Sequence, residues 1–211
     1  MRSIIIKQNS PEDSDSSMFE IFNRLNTGGL NLTAQEIRAS LYYSPFYSML
    51  YKLNANEKWR ELLLKEEQDI HAKDIEFIVR GFMLMVYYTD YRPSMTNALN
   101  KFSKEVKSFS SEAIDYFEAM FKSFLDACDD LPIGAFCVNN RFNVSKFDAV
   151  FAAVCRPFYV EKKYVEGKIT KESFDRLSTD EKFLESVQSS TASKKSVDTR
   201  IKQSEEIIIL K

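Results

Sequence analysis

The chain is 211 residues long and 44% apolar, with 17 Phe and 10 Tyr against five Gly and five Pro, and its formal charge is −2. That composition supplies ample apolar mass for a packed core and too little glycine and proline for an all-β sandwich or a Gly-rich nucleotide-binding fold. Binding to a nucleic-acid backbone depends on clustered Lys and Arg releasing counterions, so a slightly acidic chain has no global attraction to it.

The expected fold class is mainly α, a multi-helix bundle-like domain with a short N-terminal strand. Three segments are expected: a strand and polar loop over 1–17, a helical domain over 18–190, and a C-terminal amphipathic helix over 191–211. Residues 3–8, Ser-Ile-Ile-Ile-Lys-Gln, are short and β-branched and read as a strand that needs a neighbour. Residues 9–17 are polar and loop-like. Phe19, Phe22 and Leu25 then recur at helical spacing, and Gly28-Gly29 closes that helix with a positive φ. Thr33 with Glu36 has capping-box spacing and opens a second helix to about Tyr43.

Ser44-Pro45 opens another helix that turns Phe46, Met49, Leu50 and Leu53 inward. Asn54 with Glu57 restarts a helix holding Trp59, Leu62 and Leu63. Residues 73–89 are apolar nearly all round and should form the centre of the core, with Arg80 either snorkelling to the surface or, the favoured reading, paired to a carboxylate such as Glu76. Ser94 caps 95–108, and Ser110 or Ser111 caps a helix to Cys128. An irregular stretch over 131–143 precedes a helix over 144–159 interrupted near Pro157. Short helices over 171–178 and 180–188, a polar break and a final helix to Lys211 complete the chain.

Asn23, Arg24, Asn26, Thr27, Asn31, Gln35, Glu36 and Arg38 crowd the reversal between the first two helices. Arg, Asn and backbone amides at a helix start suit either an anion or a self-satisfied polar network that pins two helices, and both readings stay open. The string Phe19-x-x-Phe22-x-Arg24-Leu25-Asn26-Thr27-Gly28-Gly29-x-x-Leu32-x-x-Gln35-Glu36-Ile37-Arg38 resembles the second signature of the GmrSD-type restriction family. Asn139-Asn140-Arg141-Phe142-Asn143, the helix around Phe147-Asp148-Ala149-Val150-Phe151, and the segment from Ser190-Thr191 to Arg200-Ile201 are similar to its later helices.

Members of that family are similar to ParB and sulfiredoxin in an N-terminal half, where an Asp-Gly-Gln-Gln-Arg motif serves nucleotide binding and hydrolysis. This chain has no such string, and its single His71 cannot supply a His-Asn-His nuclease. The resemblance therefore implies a non-catalytic helical portion, a fragment or split subunit, of an anti-phage restriction protein. It would support a nucleotide or modified-DNA site. Its candidate ligand-binding residues are Asn23, Arg24, Asn26, Thr27, Gly28, Gly29, Gln35, Glu36 and Arg38. No cofactor is expected for the chain alone, whereas a nucleoside triphosphate and Mg would enter with a completing partner. That partner would be the N-terminal half or a nuclease, with DNA reached through it. The alternative is a free-standing helical interaction or regulatory module.

No metal site is expected, because His71 beside Asp69, Lys73 and Asp74 lacks further His or Cys at ligand spacing. Cys128, Cys137 and Cys155 are odd in number and too widely spaced for zinc pairs, so they read as reduced core thiols. The most apolar run, 77–88, is too short to span a bilayer and contains Arg80, and the N-terminus lacks a signal-peptide core; a cytoplasmic protein is expected.

Overall fold

The structure, a computed structural model, describes residues 32–211. The expected strand over 3–8, the helix carrying Phe19, Phe22 and Leu25, and the Gly28-Gly29 turn lie outside the described residues. The described residues are mainly α, with ten α-helices and two short strands. In chain order these are α1 (Ala34–Leu41), α2 (Pro45–Asn54), α3 (Glu57–Leu63), α4 (Lys73–Tyr87), α5 (Met95–Val106), α6 (Ser111–Ala127), β1 (Cys137–Val138), β2 (Arg141–Phe142), α7 (Val144–Val160), α8 (Lys171–Thr179), α9 (Glu181–Gln188) and α10 (Lys194–Ile207). A 3-10 turn, Tyr88–Asp90, follows α4.

Helix starts follow side chains that satisfy free backbone amides. The Thr33 hydroxyl accepts from the Glu36 amide, while the Glu36 carboxylate accepts from the Thr33 amide at 2.6 Å, so both halves of the capping box are made. Ser94, Ser110, Asn143, Thr170, Asp180 and Ser193 cap α5 to α10 in the same manner. The cap of α3 is Asn56 rather than Asn54, because the Asn54 side chain is taken up by Trp59 Nε1 and Arg60.

The core is aromatic and centred on α4. Phe82 meets Phe46, Phe117, Phe121 and Phe151 edge to face, with centroids 5.0–6.0 Å apart. Burying each such ring contributes about 1.5–3 kcal/mol, and the edge-to-face geometry adds specificity. Gly81 lets α4 and α7 approach, since a Cβ there would lie 3.0 Å from a Phe151 ring carbon and 3.3 Å from Phe147.

Four sequence-level expectations are corrected. Residues 131–143 contain a hairpin, with Cys137 opposite Phe142, turned by Asn139 and Asn140, both at positive φ as a tight two-residue turn requires. Pro157 does not interrupt α7, which runs on to Val160; the loss of one amide in its last turn is tolerated. The last helix ends at Ile207 instead of Lys211, because Ile208 to Lys211 extends and exchanges backbone bonds with Lys168 and Thr170. Arg80 is paired with a carboxylate as expected, but the partner is Asp148 of α7 in place of Glu76.

That last pairing belongs to a buried lock. Asp148 is fully buried and accepts from Arg80 Nη2 at 2.6 Å and from Arg200 Nε at 3.0 Å, and Arg200 is itself fully buried. One carboxylate thereby joins α4, α7 and α10. Removing one member of such a group leaves uncompensated buried charge, a loss of about 3–5 kcal/mol. Asp148→Asn, which faces two guanidinium groups with an amide, should therefore lower unfolding stability by about that amount. Urea denaturation reads it directly, and a loss below about 1 kcal/mol would mean that the lock is not a stability determinant.

Candidate functional site

The described part of the polar reversal sits where α1 meets α4 and α5. Gln35 and Arg38 are three residues apart and face inward together, each 1% exposed. Arg38 Nη1 donates to Gln35 Oε1 and, at 3.2 Å, to Glu76 Oε2 of α4; Arg38 Nε donates to Asn100 Oδ1 of α5 at 3.0 Å. The Tyr47 hydroxyl of α2 bonds the Ser103 hydroxyl at 2.8 Å in the same seam. Burial pushes the Tyr47 phenol up to about 12, with Ser103, the Arg38 charge and Gln35 acting in the opposite direction. Tyr47 is a neutral hydrogen-bonding group here.

Among the described residues Gln35 Nε2 is buried and makes no hydrogen bond of ordinary geometry, although its amide lies close enough to Tyr47 to favour the phenolate. An underpaired buried donor costs about 1–3 kcal/mol, so an acceptor added there would stabilise the seam. Glu36 points elsewhere. The Thr33 backbone amide holds its carboxyl below the usual range, and His71 Nδ1 lies 3.4 Å from Glu36 Oε1.

The loop bearing His71 is fixed beneath by a second buried pair. Arg60 Nη1 donates to Asp74 Oδ2 at 2.8 Å, and the Asp69 amide donates to the same oxygen at 2.9 Å. Of the sequence candidates, then, Gln35 and Arg38 are brought together and Glu36 is turned to the loop. Asn23, Arg24, Asn26, Thr27, Gly28 and Gly29 lie outside the described residues.

Glu76, Asn100, Tyr47 and Ser103 complete the seam and were not anticipated. Their only sequence signal is polarity on the inward faces of otherwise apolar helices, because the contacts span 38 to 62 positions. Among the described residues no group of three or more His, Cys, Asp or Glu is placed to hold a metal, and no helix is long and apolar enough to cross a membrane. All three cysteines are free, and burial raises the thiols of Cys128 and Cys155.

Comparison with protein-family models, with curated proteins and with solved structures returns no match for this chain.

Lys146 is a buried lysine, 8% exposed, with Nζ donating to the Ala135 carbonyl at 2.8 Å and lying 4.4 Å from the Phe174 ring centroid. Burial pushes its ammonium down from 10.5 to about 8, with Asp175 and Cys137 acting the other way. A folded-state value below the unfolded one means that the charge opposes folding in full below about 8 and that the penalty is relieved as pH rises towards 10.5. The stability of the wild type relative to Lys146→Met should therefore rise across that window. Parallel urea-denaturation profiles for the two proteins would contradict this assignment.

Proposed function

We infer that this chain is a non-catalytic helical portion of a GmrSD-like restriction protein, acting in the cytoplasm and supporting a nucleotide or modified-DNA site that another polypeptide completes. The observation that carries this reading is the pairing of Gln35 with Arg38 at the end of the family-like string, both buried, with the Gln35 amide donor making no ordinary hydrogen bond among the described residues. A group bonded on both sides to α4 and α5 is suited to positioning. Phosphoryl transfer further needs charge stabilisation, a positioned nucleophile and usually a metal, and the lone cluster supplies at most the first.

On this reading the nucleoside triphosphate and Mg enter with the Asp-Gly-Gln-Gln-Arg half, and DNA is reached through that partner. Arg24 is then a candidate nucleotide ligand by its place in the family-like string, and Arg38 fixes α1.

A second reading, a free-standing helical interaction module, draws on exposed apolar side chains around the hairpin: Ile133 at 72%, Val138 at 50% and Leu64 at 43%. An upstream reading frame encoding Asp-Gly-Gln-Gln-Arg would favour the first reading over this one.

The deciding experiment is nucleoside-triphosphate hydrolysis by the chain alone, by the chain complemented with such a half, and by the complemented Arg24→Ala variant. The expected results are no turnover, turnover, and a loss of about 100-fold with folding intact. Robust turnover by the lone chain, or an unimpaired Arg24→Ala complement, would overturn the proposal.

A further inference from the structure

Beyond α10 the chain presents an unfinished sheet edge. Residues 208–211 run antiparallel to residues 168–170: Lys168 and Lys211 exchange two backbone hydrogen bonds, at 2.6 and 2.9 Å, and the Thr170 amide donates to the Ile209 carbonyl at 3.0 Å. Leu210, opposite Ile169, therefore holds a position whose N–H and C=O point away from the pairing strand. The Ile169 amide, turned the other way, donates to the Ala127 carbonyl at 2.8 Å, whereas the Leu210 N–H and C=O make no hydrogen bond among the described residues.

Against this edge lies an open groove of about 270 Å3 between α7 and the end of α10. Exposed Pro157 and half-buried Phe158, Ile208 and Leu210 wall it over a floor of Ala153 and Val154. The α7 wall runs on into solvent, because Ala153, Pro157 and Val160 recur at i, i+4 and i+7 and Val160 is 68% exposed. Pro157 has no N–H for the Ala153 carbonyl, so the floor also carries an acceptor without its usual helix donor. Glu205 stands at the rim, exposed; one carboxylate oxygen lies 3.4 Å from the Tyr88 hydroxyl, and the other makes no hydrogen bond among the described residues. Its charged neighbours are Glu206, Lys202 and Arg156, and Arg156 is committed to the Met85 and Val86 carbonyls. Burial raises the Glu205 carboxyl, the sign of a charge that a further cation would stabilise. Small-molecule sites run from about 300 to 1,000 Å3, so a groove below that range suits one side chain better than a whole ligand.

We propose that this edge and groove dock an extended peptide segment of a partner protein, whose backbone pairs with the Leu210 N–H and C=O, whose apolar side chain enters the groove, and whose adjoining Lys or Arg meets Glu205. Free backbone groups beside an apolar cleft select an extended chain, since a helix has already spent its own N–H and C=O groups. Main-chain pairing then supplies affinity, and the groove and Glu205 supply specificity. The inference uses no residue of the Arg38 seam or of the hairpin and rests on neither reading of the function above. It asks for peptide binding by the isolated chain, which leaves the hydrolysis experiment untouched.

The test screens the purified chain against an array of acetylated hexapeptides varied at every position, then measures the best binder by fluorescence anisotropy. The selected peptides are expected to share one apolar residue with Lys or Arg within two positions of it. N-methylation of the peptide backbone beside the apolar residue, which removes a donor and leaves the side chains in place, should weaken binding at least about tenfold.

On the protein, Leu210→Pro removes a donor that the fold leaves unused and should also cost at least about tenfold. Glu205→Gln, confined to an exposed side chain, should abolish the preference for Lys or Arg and keep the selection of the apolar residue. Should Leu210→Pro fail a thermal-melting check of its fold, the N-methylated peptide and Glu205→Gln decide. No saturable peptide binding, binding indifferent to N-methylation, or an unchanged basic preference in Glu205→Gln would each overturn the proposal. Dimerisation of the chain that Leu210→Pro abolishes would assign the edge to a second copy and overturn it as well.

Discussion

Asp148 faces two guanidinium groups with one negative charge in a part of the molecule from which water is excluded, and the arrangement of α4, α7 and α10 depends on that contact. The aromatic rings around Phe82 would tolerate some sliding, because edge-to-face contacts are short-ranged and alike. A buried carboxylate with two fixed partners tolerates none, since any shift in register leaves a charge unpaired at a cost of several kcal/mol. Its influence reaches further through the segment before α10. Arg200 Nη1 donates to the Thr191 carbonyl, and the Tyr91 hydroxyl takes the neighbouring Ala192 carbonyl. The lock therefore also sets the position of the buried Tyr91 ring.

A single helix distributes these interactions. Along α4, Asp74 meets Arg60, Glu76 meets Arg38 and Arg80 meets Asp148, so three charged side chains address three different segments. Each pair is buried on at least one side, which makes the assignments exclusive: exchanging partners would require moving a whole helix. The C-terminal end of α4 is held differently. Arg156 Nη1 donates to the Met85 and Val86 carbonyls, two of the groups that a helix end leaves unpaired, and its guanidinium lies 4.9 Å from the Tyr88 ring centroid.

Local chemistry was legible in the sequence, and long-range chemistry was not. The Thr33/Glu36 capping box, the Ser94 and Ser110 caps and the proline at the start of α2 all act within four residues, so their spacing alone fixed them. Glu76 and Arg80 have the right spacing for a pair, yet the sequence distance from Arg80 to its actual partner is 68, and no periodicity reveals a carboxylate arriving from another helix. Two of the misread elements did carry a signal. Asn139-Asn140 between Cys-Val and Arg-Phe is hairpin chemistry, and Ile207-Ile208-Ile209-Leu210 is a β-branched run better suited to an extended end than to a helix. In the candidate site, Gln35 and Arg38 were identifiable by polarity at a helix start. Asn100 and Ser103 were not, because a polar residue on an amphipathic helix reads as solvated until its neighbour is known.

Helix α5 links the Arg38 seam to an open cavity of about 280 Å3 between the end of α4 and the first turns of α5. Asn100 accepts from Arg38, while Asn97, Ala98 and Lys101 line the cavity. At about 100° per residue these positions fall on adjoining faces of one helix, so the rotation of α5 that satisfies Arg38 is the rotation that turns Asn97 and Lys101 to the cavity. The apolar residues Leu99 and Val106, each 1% exposed, oppose any other rotation, because turning the helix would expose them.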